Sequence, residues 1–235
     1  MKINRFSLTR DAAGALISSM LEVMNKDHER TFNIALSGGS TPALLFNIWV
    51  MDYRMLTPWN RIHFYWVDER CVPADHPESN YKVAWMSLLE PVRMDETNIH
   101  RILGENDPES EALRYEEMVR DSLPLERGIP IFDFVLLGVG DDGHTSSVFP
   151  GQEELLHTDR IYVVSKHPQN GRERVALTGV PMMKARKTIF FVTGKTKNEI
   201  VWKLEQGNEN FPAGYIAAHA RDAELYTDCA IPVAG

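Results

Sequence analysis

The feature that most constrains this 235-residue chain is alternation: short apolar, β-rich runs recur between segments with helical spacing. FNIALS (32–37), RIHFYWVD (61–68), NIHRIL (98–103), FDFVLLG (132–138), IYVVSK (161–166), RVALT (174–178), TIFFVTG (188–194) and a last run near ELYTDCAI (224–231) read as strands. Leu16, Met20, Val23 and Met24 share one face of an opening helix. Pro42 starts a second helix through ALLFNIWVMDY, and NYKVAWMSLL, PESEALRYEEMVRDSL and Lys197–Glu205 read as further helices. Runs apolar throughout are strands buried on both faces, and helices between such strands imply right-handed βαβ units. The expected fold class is therefore α/β, a three-layer, mostly parallel sheet with helices on both faces. No repeat, low-complexity segment or linker interrupts it. A single α/β domain over residues 1–235 is expected, with a small subdomain around 71–130.

Such a sheet also says where to look for function, because ligands bind beyond the carboxyl ends of its strands. Composition narrows what they are. A formal charge of −8 argues against a general nucleic-acid binder but leaves room for a small anion held by a few local basic residues. The sequence shows no apolar run of membrane-spanning length and no secretory leader, so a cytoplasmic setting is expected. Cys71 and Cys229, far apart and in no CxxC pair, read as reduced thiols. Nothing in the sequence marks an oligomer face.

Three segments directly after predicted strands carry chemistry. SGGSTP (37–42) places Gly38 and Gly39 before a helix, with Ser40 or Thr41 as its cap. Free N–H groups at a helix N-terminus make an anion site, although a tight turn with a good cap would read the same. No lysine follows, so this is no triphosphate loop. VDERCVPADHPESNY (67–81) brings Arg70 to a strand end, as a phosphate contact or half of a solvated Asp–Arg pair. Ser79 and Asn80 are candidate caps for the next helix.

LLGVGDDGHTSSVFPG (136–151) matches G-x-G-x-x-G at Gly138, Gly140 and Gly143. A dinucleotide site is the poorer reading. Asp141 and Asp142 would oppose a pyrophosphate, and the next strand ends in Ser165 and Lys166 rather than an acidic residue. The glycine turn instead presents His144, with Asp142 two residues away to orient or charge-stabilise the imidazole. The other histidines lack metal-ligand spacing, so no metal is expected, and Ser146 and Ser147 lie outside G-x-S-x-G. Arg174 and Lys195, each at a strand boundary, would add positive charge near a phosphate.

Taken in order, SGGSTP, VDER with DHPESNY, LGVGDDGHTSSVFPG, RVALT and GKTKNEIV resemble the 6-phosphogluconolactonase family, over nearly the whole chain from Ile34 to Ile231. The resemblance implies hydrolysis of 6-phospho-D-glucono-1,5-lactone in the pentose phosphate pathway without a cofactor. It implies a fold related to those of glucosamine-6-phosphate deaminase and ribose-5-phosphate isomerase. It places the catalytic histidine on His144 and its aspartate on Asp142. The phosphate loop falls on Gly38, Gly39, Ser40 and Thr41, and basic phosphate contacts on Arg70, Arg174 and Lys195. The expected partner is a small phosphorylated sugar lactone, with no nucleic acid and no membrane. Backbone N–H groups of the glycine turns are the expected oxyanion donors.

The deaminases are similar through the phosphate loop and the histidine turn, but they place a glutamate where Phe149 stands here. The chain departs from the lactonase pattern at Met183, where asparagine is usual, and at Asp228-Cys229-Ala230-Ile231, where DEAA is usual. A non-catalytic sugar-phosphate sensor and a dinucleotide-binding oxidoreductase are the readings from other classes.

Overall fold

A computed structural model describes residues 1–230. Eleven strands and eight α-helices occur among them: β1 (Lys2–Arg5), α1 (Thr9–Met24), β2 (Phe32–Leu36), α2 (Ser40–Tyr53), β3 (Ile62–Trp66), β4 (Asp68–Arg70), α3 (Asn80–Ala84), α4 (Glu90–Val92), α5 (Pro108–Ser122), β5 (Leu125–Glu126), β6 (Ile129–Pro130), β7 (Phe134–Leu137), β8 (Tyr162–Lys166), β9 (Glu173–Leu177), α6 (Gly179–Lys184), β10 (Lys187–Val192), α7 (Asn198–Glu205), α8 (Pro212–His219) and β11 (Ala223–Thr227). Six form one sheet in the order β1-β11-β10-β7-β2-β3, and every pairing in it is parallel. All residues of β2, β7 and β11 are buried, as strands covered on both faces require. The expected α/β class is observed.

The strand order fixes the site. From β2 the chain moves outward to β3, then returns to lay β7 on the other flank of β2 and continues through β10 to β11. The order reverses between β2 and β7, and the crevice at such a switch point is where α/β sheets bind ligands. SGGST follows β2, and the glycine turn follows β7.

Three expected strands behave differently. IYVVSK and RVALT become β8 and β9, joined by a short loop with no helix between them, so they pair antiparallel. With β4 they make a separate three-stranded sheet that sets Arg70 opposite Arg174. NIHRIL is not a strand. Beyond an isolated pairing of Ile99 with Phe64, the Leu103 N–H donates to the Glu111 carboxylate at 2.7 Å instead of to a neighbouring strand. The expected helix at Pro42 begins at Ser40. β1, α6, α8 and the β5–β6 hairpin have too little periodicity to have been read from sequence. Within 71–130, Ala84, Leu88, Tyr115 and Val119 belong to the same apolar cluster as β2 and β7.

A partly buried ion pair links β10 to β11. The Lys187 ammonium lies 2.5 Å from Glu224 and 3.0 Å from Asp222, and the Tyr226 hydroxyl donates to Glu224 at 2.5 Å. Burial works to raise the Glu224 carboxyl, but the bonds from Lys187 and Tyr226 outweigh it and hold it below the usual range. A depressed carboxylate contributes stability that is complete above its unfolded pKa of about 4.3 and lost as pH falls through the lower folded value. Glu224→Gln should therefore lower stability at neutral pH by about 1–3 kcal/mol and make it fall less steeply below about pH 4, as urea melts at several pH values would record.

Candidate active site

The carboxyl ends of β2, β3, β7 and β10 open into a cleft of about 310 Å³. Its lining includes Gly38, Gly39, Ser40 and Thr41 from the loop after β2, Asp68 and Arg70 from β4, His144 and Ser146 from the glycine turn, and Arg174 from β9. Eight of the nine residues singled out from sequence meet here, seven as lining and Asp142 through its contact with His144.

His144 is held by its neighbours. Its ring Nδ1 lies 2.6 Å from Asp142 Oδ1, and its backbone N–H donates to the same oxygen at 3.1 Å. Burial pushes the Asp142 carboxyl up, but these bonds and the adjacent imidazole outweigh it and leave it below the ordinary carboxylate range. An ionised carboxylate only accepts, so Nδ1 carries the proton and Nε2 of the neutral ring is the basic nitrogen. Phe149 packs its ring 4.7 Å from the imidazole.

The glycines serve this arrangement. A Cβ on Gly140 would stand 2.2 Å from His144 Nδ1 and 2.7 Å from Asp142 Oδ1. Gly143, at φ +87°, turns the chain so that its N–H reaches the Gly140 carbonyl, while the Gly140 N–H bonds to the His144 carbonyl. The spacing that resembles a cofactor fingerprint is thus a fold-back that presents a histidine. Both N–H groups are engaged within the turn, so the expected oxyanion donors do not come from Gly140 or Gly143.

The SGGST loop differs from expectation in one respect. Neither Ser40 nor Thr41 caps α2; Gly39 precedes it at φ +103° with no side-chain cap. The first-turn N–H groups of Ser40 and Thr41 have no protein acceptor among the described residues. A hydroxyl cap would occupy a donor that an anion needs. Gly38 sits directly on Asn80, whose Oδ1 would be 1.9 Å from an added Cβ.

The basic residues come from the small sheet. Arg174 lies 3.7 Å from Asp68 and donates to Ser147 Oγ at 3.3 Å, with its guanidinium over the Phe149 ring. Burial lowers its pKa. Arg70 donates to the Glu78 carbonyl, and the Nε–H groups of both arginines are buried without an acceptor among the described residues. Lys195, expected as a third contact, is exposed and outside the cleft lining. Lys197, two residues on, lines the cleft and bonds Val139 O at 2.9 Å and Asp141 Oδ1 at 2.6 Å. The short 3₁₀ turn Lys195–Lys197 rotates the first lysine away, a twist that strand-end position alone did not reveal.

Asp68 and Asn80 also line the cleft, a place that VDER and ESNY alone did not assign to them. Ser79 is the α3 cap as expected, accepting from the Lys82 N–H at 3.1 Å. Met183 lies in α6, outside the cleft lining. Asp228 accepts from the Gly194 N–H at 2.7 Å, Cys229 is buried, and Ile231 lies outside the described residues.

Comparison with known proteins identifies the family and the fold. The family model described as glucosamine-6-phosphate isomerases/6-phosphogluconolactonase matches residues 4–226. The 6-phosphogluconolactonase of Treponema pallidum is 36% identical over 222 residues, 94% of this chain and 90% of that one. That of Haemophilus influenzae is 38% identical over 200 residues, 83% of this chain and 84% of that one. Among solved structures, the 6-phosphogluconolactonase from Trypanosoma cruzi superposes with a TM-score of 0.84 at 28% identity, covering 96% of this chain and 93% of that one. A monomeric glucosamine-6-phosphate deaminase shares the fold at a TM-score of 0.81 and 20% identity, covering 97% of both chains. No helix among the described residues is long and apolar enough to cross a membrane. The glycine turn that presents a histidine at the switch point of a parallel sheet is thus set in a chain that belongs to the glucosamine-6-phosphate isomerase/6-phosphogluconolactonase family.

Proposed function

We propose that this chain hydrolyses 6-phospho-D-glucono-1,5-lactone to 6-phosphogluconate, the pentose phosphate pathway reaction named for its relatives, as a single cytoplasmic domain with His144 as general base. The observation that carries the reading is the Asp142–His144 pair at 2.6 Å in the same cleft as uncapped helix N–H groups and two partly buried guanidiniums. One group of residues suits a phosphate, and the other suits proton transfer beside it.

In this mechanism the phosphate oxygens accept from the Ser40 and Thr41 N–H groups, with Arg70 and Arg174 neutralising the charge. That anchor, remote from the reacting carbon, orients the lactone carbonyl toward the imidazole. Nε2 of His144 takes a proton from water as the water oxygen bonds to the carbonyl carbon. Asp142 stabilises the imidazolium that forms. As the tetrahedral intermediate collapses, the ring C–O bond breaks and the imidazolium returns its proton to the departing ring oxygen. A lactone is already an activated acyl group, so one base suffices. Phe149, packed on His144 where the deaminases place a glutamate, removes the carboxylate that ring opening and isomerisation would need, and this supports the lactonase reading over the deaminase one.

Hydrolysis of freshly prepared 6-phosphogluconolactone, with spontaneous opening subtracted, tests the reading. His144→Ala should lower kcat by about 10² to 10⁴ while phosphate competition is retained, whereas Arg70→Ala should chiefly raise KM, by about 10-fold or more. No acceleration by the wild type, with turnover of glucosamine 6-phosphate instead, would overturn it. Gly38→Ala, which drives a methyl group into Asn80, should cost about 10²-fold in kcat/KM through misplacement of the phosphate loop, and a near-wild-type value would mean that the loop is not the anchor. For the two lysines the proposal is asymmetric: Lys197→Ala should raise KM and Lys195→Ala should leave it within about twofold, the expectation for an exposed charge screened by solvent.

A further inference from the structure

The same four strands that open the cleft at their carboxyl ends frame a second cavity at their amino ends. It encloses about 530 Å³. Arg30, Thr31 and Asn33 come from the start of β2, His63 and Tyr65 from β3, Asp133 from just before β7 and Arg186 from just before β10. His100 and the end of α5 at Ser122 complete it. No part of the mechanism above uses these residues.

Charge in this cavity is unbalanced in one direction. Asp133 is buried, with one oxygen accepting from the Asn33 N–H at 2.8 Å and the other facing both Arg30 and, at 3.2 Å, Arg186. Two guanidiniums therefore share the one carboxylate that lines the cavity, with Asp27 and Glu126 acting on them from outside it, in a chain whose formal charge is −8. Burial and the neighbouring Arg186 charge both lower the Arg30 pKa. Each guanidinium has five N–H donors, and among the described residues Asp133 is the sole carboxylate within ion-pair distance of either, with Arg30 also lying over the Phe32 ring at 4.9 Å.

Beside the arginines stands a ladder of rings. Tyr65 stacks on His100 at 4.5 Å and 14°, and His100 on His63 at 5.3 Å and 13°. His63 Nδ1 and His100 Nε2 share a hydrogen bond of 3.0 Å. Whichever ring donates, one of the two remaining nitrogens is an N–H donor and the other an acceptor, and neither has a protein partner among the described residues. Burial lowers the pKa of both imidazoles, that of His100 to about 4, so at neutral pH they offer hydrogen bonds rather than charge.

We infer that this cavity is a second binding site, which takes a small oxyanion, a phosphate or a carboxylate, between Arg30 and Arg186 with a hydrogen bond from the His63–His100 pair. The guanidinium forks match oxyanion geometry, and the shared Asp133 draws the two arginines to one side of the cavity. The strands place this site at the opposite end of the sheet from the cleft, so the two are separate in space and independent in chemistry.

The test reads both sites in one spectrum. The imidazole C–H signals of the full chain are followed by NMR at low ionic strength during titration with inorganic phosphate and, separately, with succinate; His63→Gln and His100→Gln supply the assignments. The His63 and His100 signals should shift saturably, and Arg186→Gln should weaken that response about tenfold or more, the loss of one charge-assisted contact. The His144 signal should respond to phosphate equally in both proteins, which also shows that the variant is folded, since Arg30 remains on Asp133. A response to phosphate alone assigns the site to phosphates, one to succinate alone to carboxylates, and one to both to oxyanions in general. Unmoved His63 and His100 signals with either anion, or an undiminished response in Arg186→Gln, would overturn the inference. Failure of the lactonase reading would show instead in turnover and in the His144 signal.

Discussion

Two carboxylates buried where β3 becomes β4 hold the cleft together. Asp68 accepts from Ser147 Oγ at 2.5 Å and from Asn80 Nδ2 at 3.2 Å, and it faces Arg174. Glu69 accepts from the N–H groups of Arg70, Asn80 and Tyr81 and from the Ser79 hydroxyl. Burial pushes the Glu69 carboxyl up despite those four bonds, a measure of how far from water this junction lies. Through these contacts one dipeptide joins the main sheet, the small antiparallel sheet, the start of α3 and the segment that carries His144. Asn80, clamped by both residues, is the floor on which Gly38 rests. Removal of either carboxylate would leave several buried donors unmatched, each at a cost of about 1–3 kcal/mol.

That junction also explains how the chain combines rigid and exposed chemistry. The guanidinium of Arg174 is fixed by Asp68, Ser147 and Phe149, and His144 is fixed by Asp142 and the glycine fold-back. Ser146 adopts φ +52°, an uncommon backbone for a residue other than glycine, and donates to the Val67 carbonyl at 2.8 Å, which ties the turn to the strand junction. In the proposed mechanism the binding and proton-transfer groups are therefore oriented before a substrate arrives, which is what turns binding energy into rate.

The two ends of the sheet put the same architecture to different uses. At the carboxyl ends, loops expose helix N–H groups and a histidine. At the amino ends, side chains from β2 and β3 and from the residues entering β7 and β10 close around Asp133. Parallel strands make this possible, because every strand delivers its loop of one kind to the same edge.

Much of this was legible in one dimension. Apolar runs between helices determined the α/β class, because a strand without a polar face must be covered on both sides. SGGST, VDER and DDGH marked where chemistry is to be sought, because each follows a buried strand and such strand ends open toward the ligand crevice, while a capped turn or a solvated ion pair would read the same from sequence. Spacing could not say that β4, β8 and β9 leave the main sheet, which depends on a loop too short for a crossover. Nor could it say that Lys197 rather than Lys195 turns into the cleft, or that Gly39 rather than a hydroxyl precedes α2, since a single helical turn decides both. His63, His100, Arg30, Asp133 and Arg186 carry no local motif at all. Their meeting depends on strand order, and strand order is fixed by long-range packing that no short window of sequence contains.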